Sequence, residues 1–209
     1  MPPPTIIIAD DHPLLRMAVA HALRDLLEGV TIIEAWSLSS LEGQIAKYPD
    51  ADMVLLDLRI PGAKGFSALM FLRAECPALP IVVLSSSEDR RTIRRAQQFG
   101  AAGFIPKSAA VDQMRAAIQA VLQGESWFPA ERAERSVEDA KLAARLAQLT
   151  PQQLRVLICI ADGMLNKQIA HELGLAENTV KVHITGLLRK LDVNSRTKAA
   201  LLVKALEPD

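Results

Sequence analysis

The sequence predicts an α/β protein: a doubly wound, five-stranded parallel sheet followed by a small all-α domain of four helices built around a helix-turn-helix. Three observations carry that expectation. Over the first 124 residues, short runs rich in Ile, Val and Leu alternate five times with amphipathic segments of helical length. This is the pattern of parallel strands joined by right-handed helical crossovers. Polar residues with chemistry to perform stand where several of those runs end. From Leu149 onward the strand pattern stops and only helical periodicity remains.

In chain order, strands are expected at Thr5–Ala9, Thr31–Ala35, Met53–Leu58, Ile81–Leu84 and Gly103–Ile105. Most are continuously apolar rather than alternating, which suits strands covered on both faces. The helices between and after them are expected at Pro13–Leu27, Leu38–Tyr48, Phe66–Cys76, Arg90–Phe99 and Ala109–Gln123. One common order for such a sheet is the flavodoxin-like 2-1-3-4-5, with the site beyond the carboxyl ends of the strands. Gly124 to Gln148 breaks the alternation. Trp127-Phe128-Pro129 precedes the charged, Ala-rich Glu131–Arg145, which reads as a partly helical linker whose aromatic pair docks on one domain or the other. Thr150-Pro151-Gln152-Gln153 then supplies an N-cap, a proline at the first helical position and a capping-box glutamine. Helices follow at Pro151–Asp162, Asn166–Leu173, Glu177–Leu191 and Arg196–Leu206, punctuated by Gly163, Gly174 and Asp192-Val193-Asn194. The expected division is 1–124, 125–147 as linker, and 148–209.

Composition narrows the function. Half of the 209 residues are hydrophobic, enough to fill a core. No apolar stretch approaches the ~18 residues of a membrane span, so no membrane partner is expected. Met1-Pro2-Pro3-Pro4 lacks the basic and apolar regions of a secretory signal. Together with only two distant cysteines, Cys76 and Cys159, this predicts a cytoplasmic chain with buried, unpaired thiols. The formal net charge is zero, which argues against general stickiness toward nucleic acid. By region the balance is uneven: residues 1–124 carry −1, 125–147 carry −1 and 148–209 carry +2. That leaves room for a modest basic surface at the C-terminal end.

The strand ends point to one site. Asp10 and Asp11 follow the first strand, Asp57 closes the third, Ser85 the fourth, and Lys107 follows the fifth. In a doubly wound sheet these positions converge. Three clustered carboxylates repel one another, and a hard divalent cation such as Mg²⁺ relieves that repulsion through oxygen ligands. A carboxylate beside Mg²⁺ is a nucleophile toward phosphorus, and Lys107 and Ser85 stand where they can bind phosphoryl oxygens. Arg90, Arg91, Arg94 and Arg95 crowd the fourth helix, either as a solvated basic face or as part of a regulated contact surface.

In the C-terminal half, Val180, Ile184, Leu187, Leu188 and Leu191 form a buried stripe on the helix Glu177–Leu191. The opposite face carries Asn178, Lys181, Val182, Thr185 and Arg189, a set that can lie in a DNA major groove. Lys181 can bond guanine or phosphate, and Val182 can touch a thymine methyl. Lys167, Lys190, Arg196 and Lys198 are better placed for phosphates. Two residues weaken the helix locally. Ala176 supplies no N-cap side chain, and Gly186 costs about 1 kcal/mol relative to Ala.

These motifs carry a resemblance. Asp10-Asp11, Asp57, Pro61-Gly62 with Gly65, Ser85 and Pro106-Lys107 resemble the receiver domain of bacterial two-component response regulators. Leu149-Thr150-Pro151, Asn166-Lys167-Gln168-Ile169-Ala170, Leu173-Gly174, Thr179-Val180-Lys181-Val182-His183, Lys190-Leu191 and Ser195-Arg196-Thr197 resemble the LuxR-type DNA-binding domain. Together they resemble the NarL/FixJ family. The resemblance implies that Asp57 accepts phosphate from a sensor histidine kinase. Asp11, Asp57 and the backbone carbonyl of Arg59 would ligate Mg²⁺, with Asp10 acting through water. It further implies that Ser85 and Phe104 are the switch pair, and that Thr179 belongs to the DNA face. The active form would be a homodimer on promoter DNA, with RNA polymerase as a further partner. The only chemistry expected is self-phosphorylation and autodephosphorylation at Asp57, so the chain is not an enzyme toward other substrates. A phosphatase with an aspartyl nucleophile would want a second Asp two residues on, where this chain has Arg59. The alternative is a phosphorylation-independent DNA-binding regulator whose receiver responds to a protein or small ligand.

Overall fold

The computed structural model describes residues 3–129 and 137–204. The N-terminal domain is a parallel sheet of β1 (Thr5–Ala9), β2 (Thr31–Ala35), β3 (Met53–Asp57), β4 (Ile81–Ser85) and β5 (Gly103–Pro106), in the order β2-β1-β3-β4-β5. Its helices are α1 (Pro13–Leu26), α2 (Leu38–Lys47), α3 (Ser67–Glu75), α4 (Arg90–Gln98) and α5 (Val111–Leu122). Every predicted element of this domain is present, with ends that differ by a residue or two. β3 and β4 are buried along their whole length. That burial is the reason their sequences are continuously apolar.

Two apolar layers flank the sheet. One joins β1, β3 and β4 to α1 and α5 through Val19, Leu23, Ala117 and Ile118. The other includes Leu41, Phe71 and Phe99, and it continues into the core of the C-terminal domain through Leu154 and Leu157. Trp127 settles the open question about the aromatic pair. It pairs with Gly103 at the free edge of β5, its N–H donating to Ala102 O and its carbonyl accepting from Phe104 N–H at 2.8 Å. A Cβ on Gly103 would stand 3.1 Å from that Trp127 carbonyl, so glycine permits the approach.

The linker helix α6 runs over Val137–Leu146; the predicted stretch before Val137 lies outside the described residues. The C-terminal domain follows with α7 (Pro151–Ala161), α8 (Asn166–Glu172), α9 (Glu177–Lys190) and α10 (Arg196–Lys204). The end predicted for the last helix, beyond Lys204, also lies outside the described residues. The capping box forms as expected. Thr150 Oγ1 accepts from Gln153 N–H at 3.2 Å, and Gln153 Oε1 accepts from Thr150 N–H at 3.1 Å. Among the described residues, no helix is long and apolar enough to cross a membrane.

The two domains touch through α7. Arg155 Nε donates to Glu42 Oε1 of α2 at 2.9 Å, and its guanidinium lies 5.0 Å from the ring centre of Phe71 on α3. Lys64, in the loop between β3 and α3, pairs with Asp162 at the end of α7 at 2.5 Å. The arginine run of α4 is not simply a solvated face. Arg95 is buried, and its Nε and Nη2 donate to Asp139 Oδ1 of α6 at 3.1 and 2.9 Å. Both cysteines are free, but only Cys159 is buried; Cys76 is half-buried. Burial, with Asp162 and Glu172 nearby, pushes the Cys159 thiol up to about 11 and leaves it unreactive.

Candidate functional site

The pocket is built at the carboxyl edge of the sheet, where β3 ends in Asp57 and where Asp10 and Lys107 directly follow β1 and β5. Parallel pairing sets the depth of these ends: Ala9 lies beside Leu56, Asp57 beside Leu84, and Ser85 beside Pro106. Asp10 is fully buried and Asp57 is 3% exposed. Lys107 Nζ reaches between them, 2.7 Å from Asp10 Oδ2 and 2.7 Å from Asp57 Oδ2. Burial alone would lower the lysine's pKa. The close contacts and charges of Asp10 and Asp57 outweigh it and hold the ammonium above its ordinary value. Lys107 is therefore the internal counter-ion of the pocket.

The other Asp57 oxygen, Oδ1, accepts from the backbone N–H of Arg59 at 3.1 Å. This turns the start of the β3–α3 loop back over the carboxylate and brings the Arg59 backbone to the pocket. His12 completes the acidic cluster, although sequence reasoning did not select it. Its N–H donates to Asp10 Oδ1 at 2.8 Å, and its Nδ1 lies 2.8 Å from Asp11 Oδ1. A polar residue directly after Asp10-Asp11 was the available signal.

The donor set suits a hard cation. Oxygen or nitrogen atoms of Asp10, Asp11, His12 and Asp57 lie within 4.8 Å of one another. Asp10 Oδ2 and Asp11 Oδ1 are buried and accept no hydrogen bond of good geometry, despite the nearby Lys107 and His12 nitrogens. Clustered carboxylate oxygens of this kind could hold a metal ion.

The remaining predicted residues are placed less directly. Ser85 is buried at the end of β4, and its hydroxyl accepts from Ser87 N–H at 3.1 Å. The cleft above Asp57 is lined by His12, Leu14, Leu15, Arg59, Ser86 and Lys107, so Ser86 rather than Ser85 faces it. Phe104 is fully buried in the layer that holds Phe66 and Phe99.

The second functional surface lies on α8 and α9. Asn178, Thr179, Lys181, Thr185 and Arg189 are exposed, Val182 is 70% exposed, and Val180 and Leu187 are buried behind them. In this arrangement the receiver end of the chain does not cover the face. Lys181 has only an exposed pairing with Glu177 one turn earlier, at 3.4 Å. Lys167 is exposed at the start of α8. Lys190 and Arg196 are turned inward. Lys190 Nζ donates to Gln153 Oε1 at 2.7 Å, and Arg196 donates to Asn166 Oδ1 at 3.0 Å and to the Met164 carbonyl. These two cations tie α9 to α7 and α10 to the start of α8. Gly186 has a packing reason, since a Cβ there would stand 2.8 Å from Gln153 Nε2. The cap of α9 is missing as predicted: Ala176 makes no side-chain bond to the helix.

An acidic pocket with an internal lysine, on a parallel sheet joined to an exposed helix-turn-helix, is the arrangement of a DNA-binding regulator with a receiver domain. Comparison with known proteins agrees. Residues 6–119 match the response regulator receiver domain, and residues 147–203 match the bacterial regulatory proteins of the luxR family. The chain is 40% identical over 205 residues to the Glycerol metabolism activator of Pseudomonas putida, covering 94% of this chain and 93% of that one. It is 32% identical over 206 residues to the nitrate/nitrite response regulator NarL of Escherichia coli K12, covering 96% and 95%. A solved structure of two RcsB dimers bound to two parallel DNAs shares the fold, with a TM-score of 0.57, 24% identity and coverage of 97% and 98%. The chain belongs to the response regulators that join a receiver to a LuxR-type DNA-binding domain, the NarL/FixJ family.

Proposed function

We propose that a sensor histidine kinase phosphorylates this regulator on Asp57, and that the phosphate controls dimerisation and sequence-specific binding to promoter DNA. The observation that carries the reading is the pocket: a nearly buried Asp57 with one oxygen on Lys107 and the other on a backbone N–H, beside two more carboxylates. Asp10, Asp11, Asp57 and the Arg59 carbonyl would hold Mg²⁺, which neutralises charge on an incoming phosphoryl group. Lys107 already binds one Asp57 oxygen and is positioned to follow the charge onto the phosphoryl oxygens. Ser85 and Phe104 serve as the switch pair, and autodephosphorylation returns the pocket to its starting state.

Transmission follows from the connections. The loop that leaves Asp57 carries Lys64, which holds Asp162 of the DNA-binding domain. A phosphate that reorders this loop acts directly on the domain contact. The groove-facing residues are already exposed, so the closed arrangement restrains the orientation and pairing of the DNA-binding domain rather than covering Lys181 and Val182. On DNA, Asn178, Thr179, Lys181, Val182, Thr185 and Arg189 face the groove, with Lys167 toward phosphates; Lys190 and Arg196 reach phosphates by giving up their bonds to Gln153 and to Asn166 and Met164. RNA polymerase is a further partner at the promoter. In this division, residues 1–124 receive the signal, 125–147 connect, and 148–209 bind DNA.

Mass spectrometry after incubation with acetyl phosphate and Mg²⁺ tests the reading. Wild type should gain one phosphoryl group and Asp57→Asn none. Equal labelling of both would assign the phosphate elsewhere, and labelling of neither would favour a receiver that responds to a protein or small ligand.

A further inference from the structure

The two carboxylates Asp10 and Asp11 do not orient themselves. The peptides on either side of Asp10 are each held by a group outside the pocket. Asp10 N–H donates to Ala35 O of β2 at 3.1 Å. Its carbonyl accepts from Arg16 Nη1 of α1 at 2.7 Å. The same guanidinium donates through Nε to Glu34 Oε2 at 2.9 Å. Glu34 sits on β2 beside Ile8, two residues before Asp10 on the neighbouring strand. Its own carbonyl accepts from Gln44 Nε2 at 3.3 Å. The Arg16 side chain is 11% exposed.

We infer that Arg16 and Glu34 are positioning residues for the cation site: Arg16 fixes the Asp10–Asp11 peptide, and Glu34 neutralises Arg16 so that it does so without repelling the cation. This inference rests on the proposed Mg²⁺-assisted phosphorylation. Its physical basis has two parts. Rotation of the Asp10–Asp11 peptide would swing the Asp11 carboxylate, whose buried oxygen has His12 beside it but no well-formed hydrogen bond. A guanidinium bonded to the Asp10 carbonyl blocks that rotation. An uncompensated positive charge at that distance would also weaken divalent binding by Coulomb repulsion. Pairing with Glu34 cancels most of that field while leaving the hydrogen bond to the carbonyl intact. Lysine has a single ammonium instead of a planar fork and does not reproduce both bonds in this geometry.

The two residues therefore fail in different ways. Arg16→Lys loosens the turn with the charge kept, and its loss does not depend on salt; Arg16→Ala loosens the turn and also leaves the Glu34 carboxylate uncompensated, so part of its loss is offset at low salt. Glu34→Gln keeps an acceptor for Arg16 but removes the neutralising charge, and that loss is screened as ionic strength rises.

The test is isothermal titration of the full chain with Mg²⁺ at low and high ionic strength, beside a thermal melt of each variant. Arg16→Ala should weaken Mg²⁺ binding about tenfold at high ionic strength, the size of one charge-assisted hydrogen bond, and by less at low ionic strength, where the uncovered Glu34 carboxylate attracts the cation. Arg16→Lys should fall between it and wild type at high ionic strength. Glu34→Gln should lose about threefold to tenfold at low salt and recover most of it at high salt. If Arg16→Ala melts without a cooperative transition, the Lys and Gln variants decide the matter alone. Mg²⁺ affinities within twofold of wild type in the folded variants, or a Glu34→Gln loss that salt does not relieve, would overturn the assignment. A wild type that takes up no Mg²⁺ would overturn the underlying reading of the pocket instead.

Discussion

Arg155→Ala should open the molecule. Arg155 is the residue of α7 that reaches both α2 and α3 of the receiver. It donates to Glu42 at 2.9 Å, with the two side chains 29% and 26% exposed, and lies over the Phe71 ring at 5.0 Å. A charge-assisted bond between partly exposed side chains, discounted for solvent screening, contributes about 1 kcal/mol. The cation–π contact adds about 0.5–1 kcal/mol. Removing both weakens domain docking by about 1.5–2 kcal/mol, a factor of roughly 10–30 in the closed-to-open ratio. Small-angle X-ray scattering of the unphosphorylated variant should show a larger radius of gyration than wild type. Its DNA affinity should rise toward that of the phosphorylated form by up to the same factor. An unchanged scattering profile together with unchanged affinity would refute the idea that this contact restrains the DNA-binding domain.

Three further outcomes are expected. Lys181→Ala should abolish preference for specific DNA in a gel shift while the melting temperature stays within a degree or two, because its side chain is exposed on α9; undiminished specificity would remove it from the reading face. Ala176→Ser should supply the missing cap and stabilise the C-terminal domain by about 1 kcal/mol in urea unfolding, and a destabilised variant would show that the cap geometry is wrong. The third concerns pH. Burial of Asp139 acts to raise its pKa, but Arg95, Arg94 and Arg91 outweigh it and hold the carboxyl below its ordinary range. A carboxyl whose folded pKa is depressed contributes stability above its unfolded pKa of about 4 and loses it as pH falls through the folded value. Hydrogen-exchange protection factors in α6 should therefore fall below pH of about 4 in wild type and much less so in Asp139→Asn, whereas equal acid sensitivity would place the titrating group elsewhere.

Local physics made most of the fold legible. Continuous apolar runs such as Met-Val-Leu-Leu before Asp57 become strands buried on both faces, and the strand-end positions of Asp10, Asp57 and Lys107 place them together. What was not legible depends on distant partners. Arg95 sits in a run of arginines that reads equally well as a solvated face; its burial is decided by Asp139, 44 residues away. Lys190 and Arg196 look like phosphate ligands from charge alone, and only the packing of α7, α8 and α10 shows that their tips first hold the domain together. Gly186 reads as a pure cost to its helix until Gln153 is seen against it. Arg16 and Glu34 are unremarkable in sequence, because neither belongs to the acidic motif whose backbone they hold.

The central claim is that phosphate on Asp57 governs where this protein sits on DNA. Genome-wide mapping of bound DNA, in cells carrying either wild type or Asp57→Asn at equal abundance, tests it most directly. The account predicts discrete promoter sites for wild type under activating conditions and their loss with Asp57→Asn. Identical occupancy of the same sites by both proteins would contradict it.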